Sequence, residues 1–296
     1  MNVIERNFFR LLRSGTFGDA EPVEPMSAWK WKRIYQLSLM HGVTALIGDG
    51  INNHAQDFFM HLPTDLAQEW GKTTEMIEEK NRQMNTTIAD LFGFLNHERL
   101  RPILLKGQGL GTLYPNALHR TCGDIDIYFP YAPQAEKANA WAKANGQEVN
   151  MGEHEILEYK WNNSPIEHHR YPQLLTNPLL NRRLQTIINS EIRCCDSSYT
   201  TIGNTRIEVI PPTLCLLLII TRVARYIISE GISLKQILDL GFFIRKTGDK
   251  VDYVKLQTWL KQLGMEHIAR LESAILIHLF KFEEDEMQFV AHHTPE

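Results

Sequence analysis

The chain has 296 residues, 43% hydrophobic and 22% charged, an ordinary globular composition that excludes general disorder. Lys and Arg number 31 against 35 Asp and Glu, so the formal net charge of -4 gives no global footprint for a polyanion, and nucleic acid is left with at most a local patch. Four cysteines, Cys122, Cys194, Cys195 and Cys215, lack metal-site spacing, and neighbours such as Cys194 and Cys195 rarely bridge, so reduced thiols in a cytoplasmic protein are expected.

The length predicts two structural parts around a shared core. Glu5 and the arginines at 6, 10 and 13 interrupt the first apolar positions and spoil a signal-peptide core. The longest apolar run elsewhere, 214–220, is far short of the roughly 20 residues that span a bilayer, so no membrane partner is expected.

Residues 1–102 read as a helical region. Ile4, Phe8, Leu11 and Leu12 recur at helical spacing, and Gly15 to Pro25 is a polar loop. Trp29 to Gly50 reads as a second helix, with Trp31, Ile34, Leu37 and Leu46 inward. Thr73 to Arg99 reads as a third, with Ile77, Met84, Ile88, Leu91 and Leu95 along one face. Pro102 then breaks the helical pattern and lets a strand begin.

The stretch from Ile103 to Phe129, ILLKGQGLGTLYPNALHRTCGDIDIYF, carries the chemistry. An apolar run enters a glycine-rich turn at Lys106 to Gly111, opening with Lys106-Gly107-Gln108. A helix is expected to follow and to end near Leu113, Tyr114 and Pro115, with Tyr114 as packing. Exposed backbone N–H groups at such a turn suit phosphate oxygens, and Lys106 suits their charge. Asp124 and Asp126 then alternate with Ile125 and Ile127. Side chains on a strand repeat with a period of 2, so both carboxylates face one way. Gly123 allows close backbone approach to a ligand. Arg120 either binds phosphate oxygens with its fork or pairs with a surface carboxylate.

Past Pro133, Gln134 to Asn145 reads as a helix ended by Gly146. HEILEYKW at 154–161, holding Glu155 and Glu158, alternates as a strand, Asn162 to Ser164 is a hairpin turn, and Pro165 to His169 is the returning strand. His154, His168 and His169 invite zinc but lack zinc-type spacing. Arg170, Arg182, Arg183 and Arg193 either meet an anionic ligand or form a solvated helix face. Arg206 to Ile210 is a short strand, closed by Pro211-Pro212. The remainder is helical: Thr213 to Ser229, a helix after the capping box Ser233 to Gln236, and one capped by Asp252 that ends at Gly264. Asp239 either closes a nucleotide cleft or pairs with Lys235 or Arg245.

The order of strand, glycine turn, helix and Gly-Asp-Ile-Asp resembles the DNA polymerase beta-like nucleotidyltransferase superfamily. Leu-Leu-Lys-Gly, Leu-Tyr-Pro, Arg120 and Gly-Asp-Ile-Asp resemble its branch of uncharacterised nucleotidyltransferases. The resemblance implies an α+β fold: a small mixed sheet with packed helices at 103–210, between helical regions at 1–102 and 211–296. It also implies a third acid on a later strand, presented as apolar-acid-His, which points to Glu167 where the branch often has Asp. The turn departs from the superfamily's Gly-Ser or Gly-Gly.

Metal-dependent transfer of an NMP from an NTP to a hydroxyl acceptor follows as the expected activity. Asp124, Asp126 and Glu167 are the expected catalytic and metal residues, holding two Mg2+ or Mn2+ ions. Lys106, Gly107, Gln108, Arg120 and Gly123 are the expected nucleotide contacts. ATP is the expected nucleotide, with a small molecule or a protein as acceptor. The altered turn and Glu167 leave open a catalytically degenerate nucleotide- or partner-binding module of the same fold.

Overall fold

The computed structural model describes residues 1–58, 60–229 and 231–290. Helices α1 (Val3–Phe17), α2 (Ala28–Met40), α3 (Thr44–Asn53) and α4 (Thr64–His97) come first. The expected helix from Trp29 to Gly50 is two helices. Gly42 adopts a φ of +65°, a left-handed turn that a helix interior excludes, and Val43 is fully buried at the corner. The third helix begins nine residues early, at Thr64, because Leu66 and Trp70 already belong to the buried stripe. Trp70 also donates its indole N–H to the Thr44 carbonyl at 2.8 Å, which ties α4 to α3.

Strands β1 (Ile103–Leu104) and β2 (Ile125–Tyr128) flank α5 (Gln108–Gly111), and α6 (Ala132–Asn145) leads to β3 (Gln147–Met151), β4 (Leu157–Trp161) and β5 (Ser164–His169). The expected intervening helix is one turn only; Leu113 and Tyr114 lie beyond it. The β4 strand starts later than expected, because His154 and Glu155 take positive φ values of 56° and 62° in a preceding 3-10 turn. Asn162 and Asn163 form the expected hairpin turn, both with positive φ.

Next come α7 (Pro178–Cys194), β6 (Ser198–Ile202), β7 (Thr205–Val209), α8 (Pro212–Ser229), α9 (Leu234–Thr247), α10 (Tyr253–Leu263) and α11 (Glu266–Phe280). The capping box at Ser233 and the Asp252 cap are both present, and Gly264 closes α10 in a left-handed conformation. The class is α+β. One seven-stranded mixed sheet runs in the order β3-β4-β5-β2-β1-β7-β6.

Strand β2 lies at the middle of the sheet, antiparallel to β1 and parallel to β5. One sheet face, with Ile125, Ile127, Ile166 and Tyr159, packs on Met84, Ile88 and Leu91 of α4 and on Ala138 and Ala142 of α6. Ile103, Leu105 and Tyr128 join a second cluster that gathers side chains from α1 to α3 and from α7 to α11. Asp126 shares a face with Tyr128, two residues on, and so points towards that second cluster. Among the described residues no helix is long and apolar enough to cross a membrane.

Candidate active site

The parallel register of β2 and β5 sets Asp126 directly opposite Glu167. Asp124, immediately before β2, and His169, two residues beyond Glu167 on β5, join the same site, while Ile166 and His168 turn to the core. Lys106 enters from the turn after β1. Its Nζ lies 2.9 Å from Asp126 Oδ1 and 4.0 Å from Asp124 Oδ2. His169 Nε2 lies 2.7 Å from Asp126 Oδ1 and 3.1 Å from Glu167 Oε2. One ligand atom from each of Asp126, Glu167 and His169 falls within 4.8 Å of the others.

Burial separates the two aspartates. The Asp126 side chain is 0% exposed, and although burial opposes its charge, the Lys106 ammonium and the His169 hydrogen bond hold its carboxyl below the usual range. Its second oxygen, Oδ2, is buried with no partner among the described residues. Burial, joined by the negative charge of Asp126, pushes Asp124 up to about 6. His169 is raised: burial opposes its charge, and hydrogen bonds to Asp126 and Glu167 more than offset this. Lys106 is raised as well, burial being outweighed by Asp126 and Asp124.

The turn that aims Lys106 depends on Gly107, whose φ of 65° and ψ of -121° suit only glycine. Gly123 is exposed beside Asp124. Gln108 turns away from the carboxylates: it is 5% exposed, and its amide nitrogen faces Met84 Sδ at 3.3 Å and Asn81 Oδ1 at 3.5 Å.

Arg120 is directed elsewhere too. Its Nε and Nη2 donate to Asp239 Oδ1 and Oδ2, each at 2.7 Å, with both side chains 5% exposed. Tyr114 donates its hydroxyl to Asp239 Oδ1 at 2.7 Å. The Arg120 fork is therefore closed by a buried partner rather than facing phosphate or a surface acid. Asp239 in turn is buried in its ion pair with Arg120, Lys235 adds only the attraction of its charge, and Arg245 pairs with Glu286 instead. Two of the other arginines read from the sequence are engaged elsewhere: Arg170 pairs with Glu155, and Arg183 donates to the Gln262 carbonyl at 3.0 Å.

His169 is the site residue that sequence spacing understated. Its signal was present, since it stands two residues after Glu167 on the same strand and must share its face. Neighbouring His168 is structural: it is 3% exposed between Tyr159 and Asn139, and burial pushes its imidazole down to about 3.

A cavity of about 610 Å³ opens beside Lys106, between the ends of β1 and β7 and the end of α9. Lys106, Lys246 and Lys250 line it with Thr112, Thr200 and Phe243, and among the described residues no carboxylate lines it. A smaller space of about 100 Å³ on the other flank of Lys106 touches His169, Tyr171 and Arg222.

No curated protein matches the chain. Among solved structures, an antigenic nucleotidyltransferase-like protein from Paracoccidioides brasiliensis is similar at 11% identity, covering 71% of this chain and 94% of that one with a TM-score of 0.46. Residues 27–281 match the family described as uncharacterised nucleotidyltransferase, and the chain belongs to that family.

Proposed function

We propose that the chain is a metal-dependent nucleotidyltransferase that moves an NMP from an NTP, ATP the expected one, to a hydroxyl on a small molecule or a protein. The observation that carries this reading is the meeting of Asp124, Asp126 and Glu167 beside Lys106, with one buried Asp126 oxygen that has no hydrogen-bond partner among the described residues. That orphaned oxygen and the hard carboxylate donors fit Mg2+ or Mn2+. Two such ions held by Asp124, Asp126 and Glu167 would supply charge neutralisation at the attacking and leaving oxygens.

The remaining roles fall to the chain itself. Lys106 turns from Asp126 to a phosphate oxygen as a point charge, and Gly107 keeps the backbone clear of the phosphates. The large cavity, with three lysines and no acid, suits a nucleotide by charge, and its 610 Å³ lies within the common range for ligand pockets of roughly 300–1,000 Å³. The acceptor oxygen bonds to the α-phosphorus as the bond to the bridging oxygen breaks. The electron pair departs with pyrophosphate, and the hydroxyl proton leaves by way of Glu167.

A binding module without catalysis is the second reading. The internal ion pair of Lys106 with Asp126, which neutralises the site from within, favours it. Thermal unfolding of the parent and of Asp126→Asn with ATP, GTP, CTP or UTP, with and without Mg2+ or Mn2+, tests both, followed by a pyrophosphate-release assay. Ligand at about 100 times Kd stabilises by roughly 2.7 kcal/mol. The proposal expects stabilisation that needs metal and nucleotide together and disappears in Asp126→Asn. Equal stabilisation in the variant overturns the site assignment, and no stabilisation by any nucleotide overturns the function. Nucleotide binding without pyrophosphate release, across a panel of hydroxyl acceptors, favours the binding module.

A further inference from the structure

The acids on β2 and β5 are joined by a nitrogen donor that a carboxylate-only scheme leaves unused. His169 follows Glu167 by two residues, so the strand itself presents acid and imidazole together. Its ring is 11% exposed, and its Nε2 points inward between Asp126 Oδ1 and Glu167 Oε2 at 2.7 and 3.1 Å. Neighbouring ligands around an octahedral ion with bonds of about 2.1 Å lie about 3 Å apart, the same spacing. The other carboxylate oxygen of Asp126, Oδ2, is buried and has no hydrogen-bond partner among the described residues.

We infer that His169 is a metal ligand through Nε2, together with Asp126 and Glu167, and that this mixed nitrogen and oxygen set selects a first-row transition ion over Mg2+. The inference rests on the metal-dependent reading of the site but not on nucleotidyl transfer as such. Imidazole is a ligand of transition ions, whereas Mg2+ takes oxygen donors and keeps its waters. His168 is not a competing donor, because both its nitrogens are engaged on the core face by Tyr159 and Asn139, each at 2.9 Å.

The test uses Mn2+ as the probe on the full chain, prepared unlabelled and with 15N-histidine, and on His169→Gln. Pulsed electron paramagnetic resonance of bound Mn2+ should show histidine nitrogen modulation that changes frequency with the label. His169→Gln should lose that modulation, weaken Mn2+ by tenfold or more and change Mg2+ affinity by less than about twofold. In the parent, Mn2+ should bind at least tenfold more tightly than Mg2+. Bound Mn2+ without nitrogen modulation in the parent overturns the inference and leaves the nucleotidyltransferase reading intact. Failure of the parent to bind either ion, with nucleotide present or absent, overturns both. The parent spectrum decides alone if His169→Gln does not fold.

Discussion

Replacing Arg120 by Met should destabilise the protein strongly and chiefly through Asp239, the loss of the 3.1 Å contact from Nη1 to Cys122 Sγ being the smaller part. Removing one partner of a buried ion pair strands the other charge, at a cost of about 3–5 kcal/mol. Here the pair is bidentate at 2.7 Å with both side chains 5% exposed, so solvent cannot rescue the stranded carboxylate. Tyr114 and its 2.7 Å hydrogen bond to Asp239 would remain and offset part of the cost. A net loss of about 3 kcal/mol is therefore expected for Arg120→Met, and the same or more for Asp239→Leu, which also leaves the Tyr114 hydroxyl only the Lys235 carbonyl at 3.4 Å.

The double variant removes both charges together, so its cost should fall below the sum of the singles by about 2–3 kcal/mol. Urea unfolding of the four proteins at neutral pH measures this coupling, with m-values checked for constancy. A cost under about 0.5 kcal/mol for Arg120→Met, or simple additivity in the cycle, would refute the reasoning. A phosphate role for Arg120 would instead leave stability nearly unchanged and reduce stabilisation by nucleotide.

Three further outcomes are expected. Asp124 has a folded pKa of about 6 against an ordinary 3.8, so its contribution is favourable below the ordinary value and is lost as pH rises through 6; in chelator, Asp124→Asn should raise the melting temperature above pH 6 and leave it nearly unchanged at pH 4. Glu272 on α11 is fully buried with no hydrogen-bond partner for either carboxyl oxygen among the described residues, and burial raises its pKa well above the ordinary range. The sign is the same, so Glu272→Gln should stabilise at pH 7 to 8 and have little effect near pH 4; a lower melting temperature at pH 7.5 would show that the carboxyl has a favourable partner. Gly107→Ala should cost about 1–3 kcal/mol in urea unfolding, because its φ of 65° and ψ of -121° exclude a Cβ. A neutral result there would mean the turn relaxes without strain.

The carboxylates were legible because their signal is local. Asp124 and Asp126 show their shared face by alternation, and the hairpin at Asn162 and Asn163 delivers Glu167 to a strand that turns back towards them. Strands β3 and β6 were not legible, since Gln147 to Met151 is mostly exposed and Ser198 to Ile202 buries only its last residue. With so little burial, neither carries an apolar period. The fates of Arg120 and Gln108 were hidden for another reason. Arg120 meets an acid 119 residues away and Gln108 a methionine 24 residues back, contacts set by tertiary packing and by no local spacing. His169 lay between these cases: its period was visible, but its direction into the acid pair needed the parallel register of β2 and β5.

The segment that leads into Asp124 is stitched to several helices at once. His119 bridges Asp49 of α3 and Glu78 of α4 at 2.6 and 2.8 Å, Asn81 of α4 donates to the Leu118 and Arg120 carbonyls, and Asp239 of α9 grips Arg120. Lys235 of α9 adds a bond to the Thr121 carbonyl at 3.1 Å. Residues 103–210 grafted into another scaffold would carry every acid of the site and none of these outside anchors. Transplanting the chemistry thus means transplanting its moorings, which come from chain on both sides of the sheet.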